Sequence, residues 1–176
     1  MIKQSFQVLL SAIFLLAGCG YTTHSVIFAE KYIFIQSVTN DIKIATEGNK
    51  YENRKTYPRL VENELTSALV QGFNTDGQLK VAREEAGALK LVCAVKDYRK
   101  DTLRSTTTND VVEQRIQLEV WMKLTSSSGK TIKDEGVIGE TTYFLSGPNQ
   151  KTEVAAQGDL VDDTARRIVE GVVENW

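Results

Sequence analysis

Histidine, proline and cysteine are scarce in this chain of 176 residues, with one, two and two copies respectively. His24 stands alone near the N-terminus, so neither a histidine-based triad nor a histidine metal site is expected. Gly-rich phosphate loops, paired-cysteine zinc motifs and serine nucleophile elbows are missing as well. These gaps predict a protein that is not an enzyme and uses no catalytic residue, metal or cofactor. Charge of one sign is also lacking: 21 Lys and Arg face 23 Asp and Glu, a net charge of −2. No global field would draw nucleic acid or anionic lipid, and any basic site must be local.

A hydrophobic run long enough to cross a bilayer is absent too. Val8 to Leu16 is apolar except for Ser11, about half of the roughly 20 residues that a spanning helix needs. Lys3 before the run and Ala17-Gly18 after it complete the layout of an export signal. Residues 1–18 therefore read as a leader, and the mature chain begins at Cys19. Leu16-Ala17-Gly18-Cys19 resembles the lipobox of bacterial lipoproteins. The resemblance implies a diacylglyceryl group on the Cys19 sulfur and, after cleavage, an acyl chain on its amine. Several chains anchor far more firmly than one, because each buried methylene contributes about 0.8 kcal/mol. Gly20, where an Asp would signal retention, resembles an outer-membrane address. The expected location is the periplasmic face of the outer membrane, with the lipid as the membrane contact.

With Cys19 modified, Cys93 is the remaining thiol and a disulfide framework is excluded. Cys93 lies in the apolar run Leu89 to Val95, where a small buried hydrophobe is favoured over a reactive thiol. Residues 19–29 read as a lipidated tether and 30–176 as a single domain, a length that can bury a sizeable core.

Along that domain, Lys31 to Gln36 is apolar on both alternating faces and reads as a buried strand. Ser37 to Tyr57 turns polar and reads as a long loop. Pro58 suits a first helical turn, and Val61, Leu65, Ala68, Leu69, Gly72 and Phe73 then form one apolar stripe before an exit at Asp76-Gly77. Leu79 and Val81 suggest a short strand. Leu89, Leu91, Cys93 and Val95 share one face of the next strand, and Ile116, Leu118, Val120, Met122 and Leu124 one face of the following. A Thr-rich loop from Ser105 to Thr108 separates the two. Ser126 to Gly129 reads as a hairpin turn into Thr131 to Leu145, where Gly136 and Gly139 predict a bulge or bend. Val154, Gly158, Val161, Ala165, Ile168, Val172 and Trp176 recur at helical spacing. This order predicts an α+β two-layer sandwich, with two helices packed on one face of a four- to five-stranded, mostly antiparallel sheet.

The order of pieces resembles the LptE family of lipopolysaccharide-assembly lipoproteins. The matching segments are Cys19-Gly20-Tyr21, the Pro58 to Phe73 helix with Glu62, Glu64 and Leu65, and Asp76-Gly77-Gln78-Leu79-Lys80-Val81. Val95-Lys96-Asp97-Tyr98-Arg99-Lys100, the strand around Val120 and the final helix through Ala165, Ile168 and Val169 to Trp176 complete the match. The polar insertion at Thr39 to Thr56 departs from the family, whose members join the first strand and helix by a short Asn-containing link. Loops of this kind cost little free energy. The resemblance implies an outer-membrane lipoprotein that assists assembly of an LptD-type β-barrel, plugs it, and binds lipopolysaccharide during export.

Lipopolysaccharide carries phosphates, so its site needs exposed cations near apolar surface. Lys96, Arg99, Lys100 and Arg104 are the candidates, with Asp97 and Asp101 as internal counter-ions in the alternative of a solvated strand end. In a regular strand Lys96, Tyr98 and Lys100 share a face and Arg99 points oppositely, so convergence requires the strand to end or twist. Lys130 and Lys133 form a second possibility. Trp121 and Tyr98 are candidate barrel contacts, since interfaces favour aromatics; packing by neighbouring aliphatic stems is the alternative for Trp121. Asp159, Asp162 and Asp163 invite a metal reading, yet fall early in a helix whose amide end favours negative charge. A different class of function stays open: an adaptor for another envelope machine, such as a peptidoglycan-synthase activator or a secretin pilot.

Overall fold

The computed structural model describes residues 30–42, 57–58, 60–108 and 110–174. The leader, Cys19, the tether, His24, Trp176 and most of the Thr39 to Thr56 insertion lie outside them. Among the described residues, no helix is long and apolar enough to cross a membrane.

The chain runs β1 (Tyr32–Ile35), β2 (Thr39–Asn40), α1 (Val61–Asp76), β3 (Lys80–Val81), β4 (Leu89–Ser105), β5 (Val111–Thr125), β6 (Thr131–Phe144) and α2 (Glu153–Val173). The expected two-layer α+β sandwich is present, with both helices against one face of the sheet. The sheet is larger than expected and mixed. Six strands follow the order β3-β1-β4-β5-β6, with β2 also on β4. The pairs β1–β3, β1–β4 and β2–β4 are parallel, while β4, β5 and β6 form an antiparallel meander.

One polar stretch contributes a strand. Val38 is buried, its N–H meets Thr66 Oγ1 at 3.0 Å, and Thr39–Asn40 then pair with Ala94 and Val95. β1 and β2 thus run in succession along the same side of β4. Ser105, the first residue of the expected Thr-rich loop, pairs with Val111 and ends β4, and Thr106 to Thr108 form the turn.

α1 buries Val61, Leu65, Leu69 and Phe73, a stripe repeating every fourth residue. Its start falls after Pro58 because Leu60 holds the left-handed conformation at φ 68°, which interrupts the right-handed turn. Gly77 takes the same conformation at φ 76° and donates its N–H to Phe73 O at 3.0 Å, as an exit glycine does. α2 begins at Thr152, whose hydroxyl accepts from Ala155 N at 3.2 Å. Ala156, Leu160, Thr164, Ile168 and Val172 form its buried stripe. Val154 and Gly158, expected on that stripe, are exposed; Val154 at 77% lies in a first turn that projects past the packing.

No bulge lies at the glycines of β6. β5 and β6 stay in register from Glu113↔Phe144 to Leu124↔Lys133. Gly139 instead allows α2 to press on the strand: a Cβ there would stand 2.8 Å from Thr164 Cα and closer still to its Oγ1. Beside this contact, Asp163 accepts the outward N–H of Glu140 at 3.0 Å and binds Arg166 at 2.5 Å and Arg167 at 2.7 Å. Lys133 Nζ donates to the carbonyls of Gly171 and Glu174, closing the far end of α2 where cations are favoured. Burial works against the Asp163 carboxylate, but the Glu140 amide and the two arginines outweigh it and hold its pKa below the ordinary aspartate range.

Gly139→Ala is expected to destabilise the protein by about 3 kcal/mol, the upper part of the range for overpacking. Chemical denaturation with an unchanged midpoint would contradict this. Asp163→Ala should cost about 2 kcal/mol near neutral pH, as loss of charged hydrogen bonds does. Because the folded-state pKa is depressed, this contribution is present above the unfolded pKa of about 4 and is lost as pH falls through the folded value. Urea titrations of wild type and variant should therefore converge in acid; a gap that widens would contradict the assignment.

Candidate functional site

The helices cover one face of the sheet and leave the other open. On β5, Ile116, Leu118, Val120, Met122 and Leu124 are fully buried under the helices. Arg115, Gln117, Glu119, Trp121 and Lys123 therefore point to the open side. On β4 the alternation carries Leu89, Leu91, Cys93 and Val95 inward, and the register then shifts between Val95 and Asp97. This bulge inserts one residue and resets the phase.

The reset divides the expected cluster. Tyr98 is 3% exposed on the core side, edge-to-face with Tyr57 at 5.8 Å and 86°. Burial, helped by the Glu153 charge, pushes its hydroxyl up to about 12. Lys100 also turns toward the helices and binds Glu153 at the start of α2 at 2.7 Å. Burial opposes its charge, but Glu153 and Tyr143 outweigh burial and raise its pKa. Tyr143 Oη in turn donates to Gln114 at 2.7 Å. Lys100 and Tyr98 thus anchor α2 to the sheet, on the opposite side from Trp121 and Arg99.

Lys96 and Arg99 reach the open side. Lys96 pairs with Asp41 and lies 5.6 Å from the Trp121 ring. Trp121 Nε1 donates to Asp134 at 2.7 Å, and Lys123 approaches the same carboxylate at 3.9 Å. Trp121 stands opposite Ala94 on β4 and Gly136 on β6, whose small side chains leave room for the indole. It is neither fully exposed nor buried, held by a cation on one side and a carboxylate on the other. Arg99 meets Asp97 at 2.8 Å and Glu119 at 3.4 Å. Arg115 meets Asp101 at 3.4 Å. Arg104 lies at the far end, 2.9 Å from Glu113 and 6.0 Å from the Phe144 ring.

The open face is a lattice of ion pairs with one aromatic at its centre. Exposed pairs of this kind contribute little stability, about 0–1 kcal/mol each, so an incoming phosphate can replace an internal carboxylate at small cost. Arg115 and Lys123 belong to the same surface; their alternation with buried neighbours was the signal for them. Asp134 and Asp41, which fix Trp121 and Lys96, come from distant segments and had no local signature.

The remaining candidates separate. Lys133 is tied to the end of α2, while Lys130 is exposed on the β5–β6 turn, so they do not act as one patch. Asp163 bridges to β6 and Asp159 pairs with Lys151. Cys93 is 1% exposed, and burial pushes its thiol up to about 12, which removes the thiolate that reactivity requires.

No protein-family model and no curated protein matches the chain. Its fold is similar to that of solved structures. A minor lipoprotein from Acinetobacter baumannii aligns with a TM-score of 0.50 at 14% identity, covering 82% of this chain and 94% of that one. A hypothetical protein from Chlamydia trachomatis aligns with a TM-score of 0.52 at 9% identity, covering 81% and 96%. The rare lipoprotein B of Shewanella oneidensis aligns at 0.48 with 13% identity, covering 79% and 92%. At these identities the likeness is one of fold, and the neighbours that share it include bacterial lipoproteins.

Proposed function

We propose that this chain is a lipid-anchored protein of the outer membrane, acylated at Cys19, that assists and plugs an LptD-type β-barrel and binds lipopolysaccharide during its export. The observation that carries the reading is the joining of a lipobox cysteine to a sandwich whose meander leaves one sheet face without helices. The fold shared with the Acinetobacter lipoprotein supports the envelope assignment. The protein works through contact and needs no cofactor beyond its covalent lipid. Lys96, Arg99 and Arg104 would exchange carboxylate partners for phosphate oxygens, and Trp121 would meet the barrel wall. Lys100 and Tyr98 would hold α2 in place behind that surface.

Lys96→Ala combined with Arg99→Ala should weaken lipopolysaccharide binding by about 25-fold at low salt, if each cation contributes about 1 kcal/mol near an anionic surface. Lys100→Ala should instead lower thermal stability with affinity preserved. Unchanged affinity in the double variant would remove this face as the lipid site. Affinity purification from detergent-solubilised membranes should recover a large outer-membrane β-barrel, and Trp121→Glu should reduce its yield. Recovery of a penicillin-binding protein or a secretin in its place would favour the adaptor function and overturn the barrel assignment.

A further inference from the structure

Cations in this molecule are sorted by partner. On the open sheet face and along the helices each described Lys and Arg has a carboxylate, and Lys133 has two carbonyls. Lys90, at the start of β4, has Glu85. Lys31, Lys80, Arg83 and Lys130 are exposed and, among the described residues, have none.

These four lie at one end of the sandwich. Lys80 N donates to Lys31 O at 3.0 Å, and Lys80 stands opposite Tyr32 in the β1–β3 register. Arg83 and Tyr32 line a surface hollow of about 360 Å³ together with Val81, Ala82 and Ala86. Lys130 belongs to the β5–β6 turn, and Glu30 clasps that turn through Ser127 N at 3.0 Å and Ser127 Oγ at 2.7 Å. The acids at this end are Glu30, which stays charged while Ser127 hydrogen-bonds it, Glu85, which pairs with Lys90, and the exposed Glu84 and Asp76. Tyr32 is 51% exposed among these cations, and tyrosine favours the headgroup level of a membrane.

Glu30 is also where the chain enters the domain. Residues 19–29 reach at most about 40 Å when fully extended, so an acylated Cys19 keeps this end within reach of the leaflet. We propose that the end formed by Lys31, Tyr32, Lys80, Arg83 and Lys130 docks on the anionic headgroups of the membrane that holds the anchor. The inference rests on the reading of Cys19 as acylated. The clasp between Glu30 and Ser127 sets the orientation: the strands stand away from the bilayer and the β4–β5 turn points outward. A strand as long as β4, 17 residues, spans about 55 Å, so the two ends of the domain differ widely in depth. Each cation near an anionic surface contributes about 1 kcal/mol, or about a five-fold factor in the docked population.

The test uses full protein purified from membranes, with a single added cysteine at Ser128 or at Thr107 carrying a fluorophore; Cys93 is buried and does not compete. Energy transfer to a headgroup-labelled lipid is read in vesicles containing phosphatidylglycerol and in vesicles of phosphatidylcholine alone. Strong transfer from position 128, weak transfer from 107, and loss of that contrast in raised salt or on phosphatidylcholine support the proposal. Lys80→Gln with Lys130→Gln should lower the docked-to-undocked ratio by about 25-fold, and Lys80→Arg with Lys130→Arg should restore it. Equal transfer from both ends, a contrast that ignores lipid charge, or one that depends on protein density as a second copy would require, overturns it. Mass spectrometry of the same material separates the failures. An acylated Cys19 without the contrast sinks only the docking surface, whereas an unmodified Cys19 sinks the anchor and the docking together.

Discussion

The close approach of α2 to β6 at Gly139 governs the rest of the architecture. A side chain at position 139 would collide with the backbone at Thr164, so the helix can lie there only because the strand has no Cβ. Once seated, α2 offers Asp163 to the outward amide of Glu140 and takes its own terminal partner from Lys133. An edge strand with unpaired amides invites pairing with other chains; here a helix occupies part of it. The same seating commits Leu160, Ile168 and Val172 to the core and leaves the reverse of the sheet bare.

The bulge at Val95 to Asp97 is the second constraint. Side chains alternate with a period of two, so one inserted residue moves each later side chain to the other face. Leu89, Leu91, Cys93 and Val95 and then Tyr98 can all be buried in one strand only because of that insertion. The consequence for function is a division of labour among neighbouring residues: Arg99 is set toward solvent, and Lys100 toward Glu153. A cluster that looks contiguous in sequence serves both the outer surface and the joint between helix and sheet.

Much of this was legible in the chain. Ile116 to Leu124 alternates without error, and the structure buries one set and leaves the other partly exposed. The four-residue spacing of Val61, Leu65, Leu69 and Phe73 needed only local geometry to read. What was hidden depended on contacts between distant segments. Thr39–Asn40 is polar and becomes strand because β4 offers an unpaired edge beside it. Gly139 carries no sign of whether a bend or a neighbour requires it, and Thr164 is the answer. Tyr98 could not be placed without the bulge, which leaves no mark in composition. Among the surface residues, Trp121 was conspicuous for its charged surroundings, whereas Asp134, its hydrogen-bond partner, was one acid among many.

The proposed function makes the bare sheet face the working surface of a protein that acts by contact. Its most direct test is site-specific photo-crosslinking in living cells, with a crosslinking residue replacing Gln117 on β5 in one strain and Gln71 on α1 in another. Adducts with an outer-membrane barrel from position 117, and none from position 71, are predicted. Adducts from position 71 alone would mean that the helices meet the partner and that the open face has another purpose.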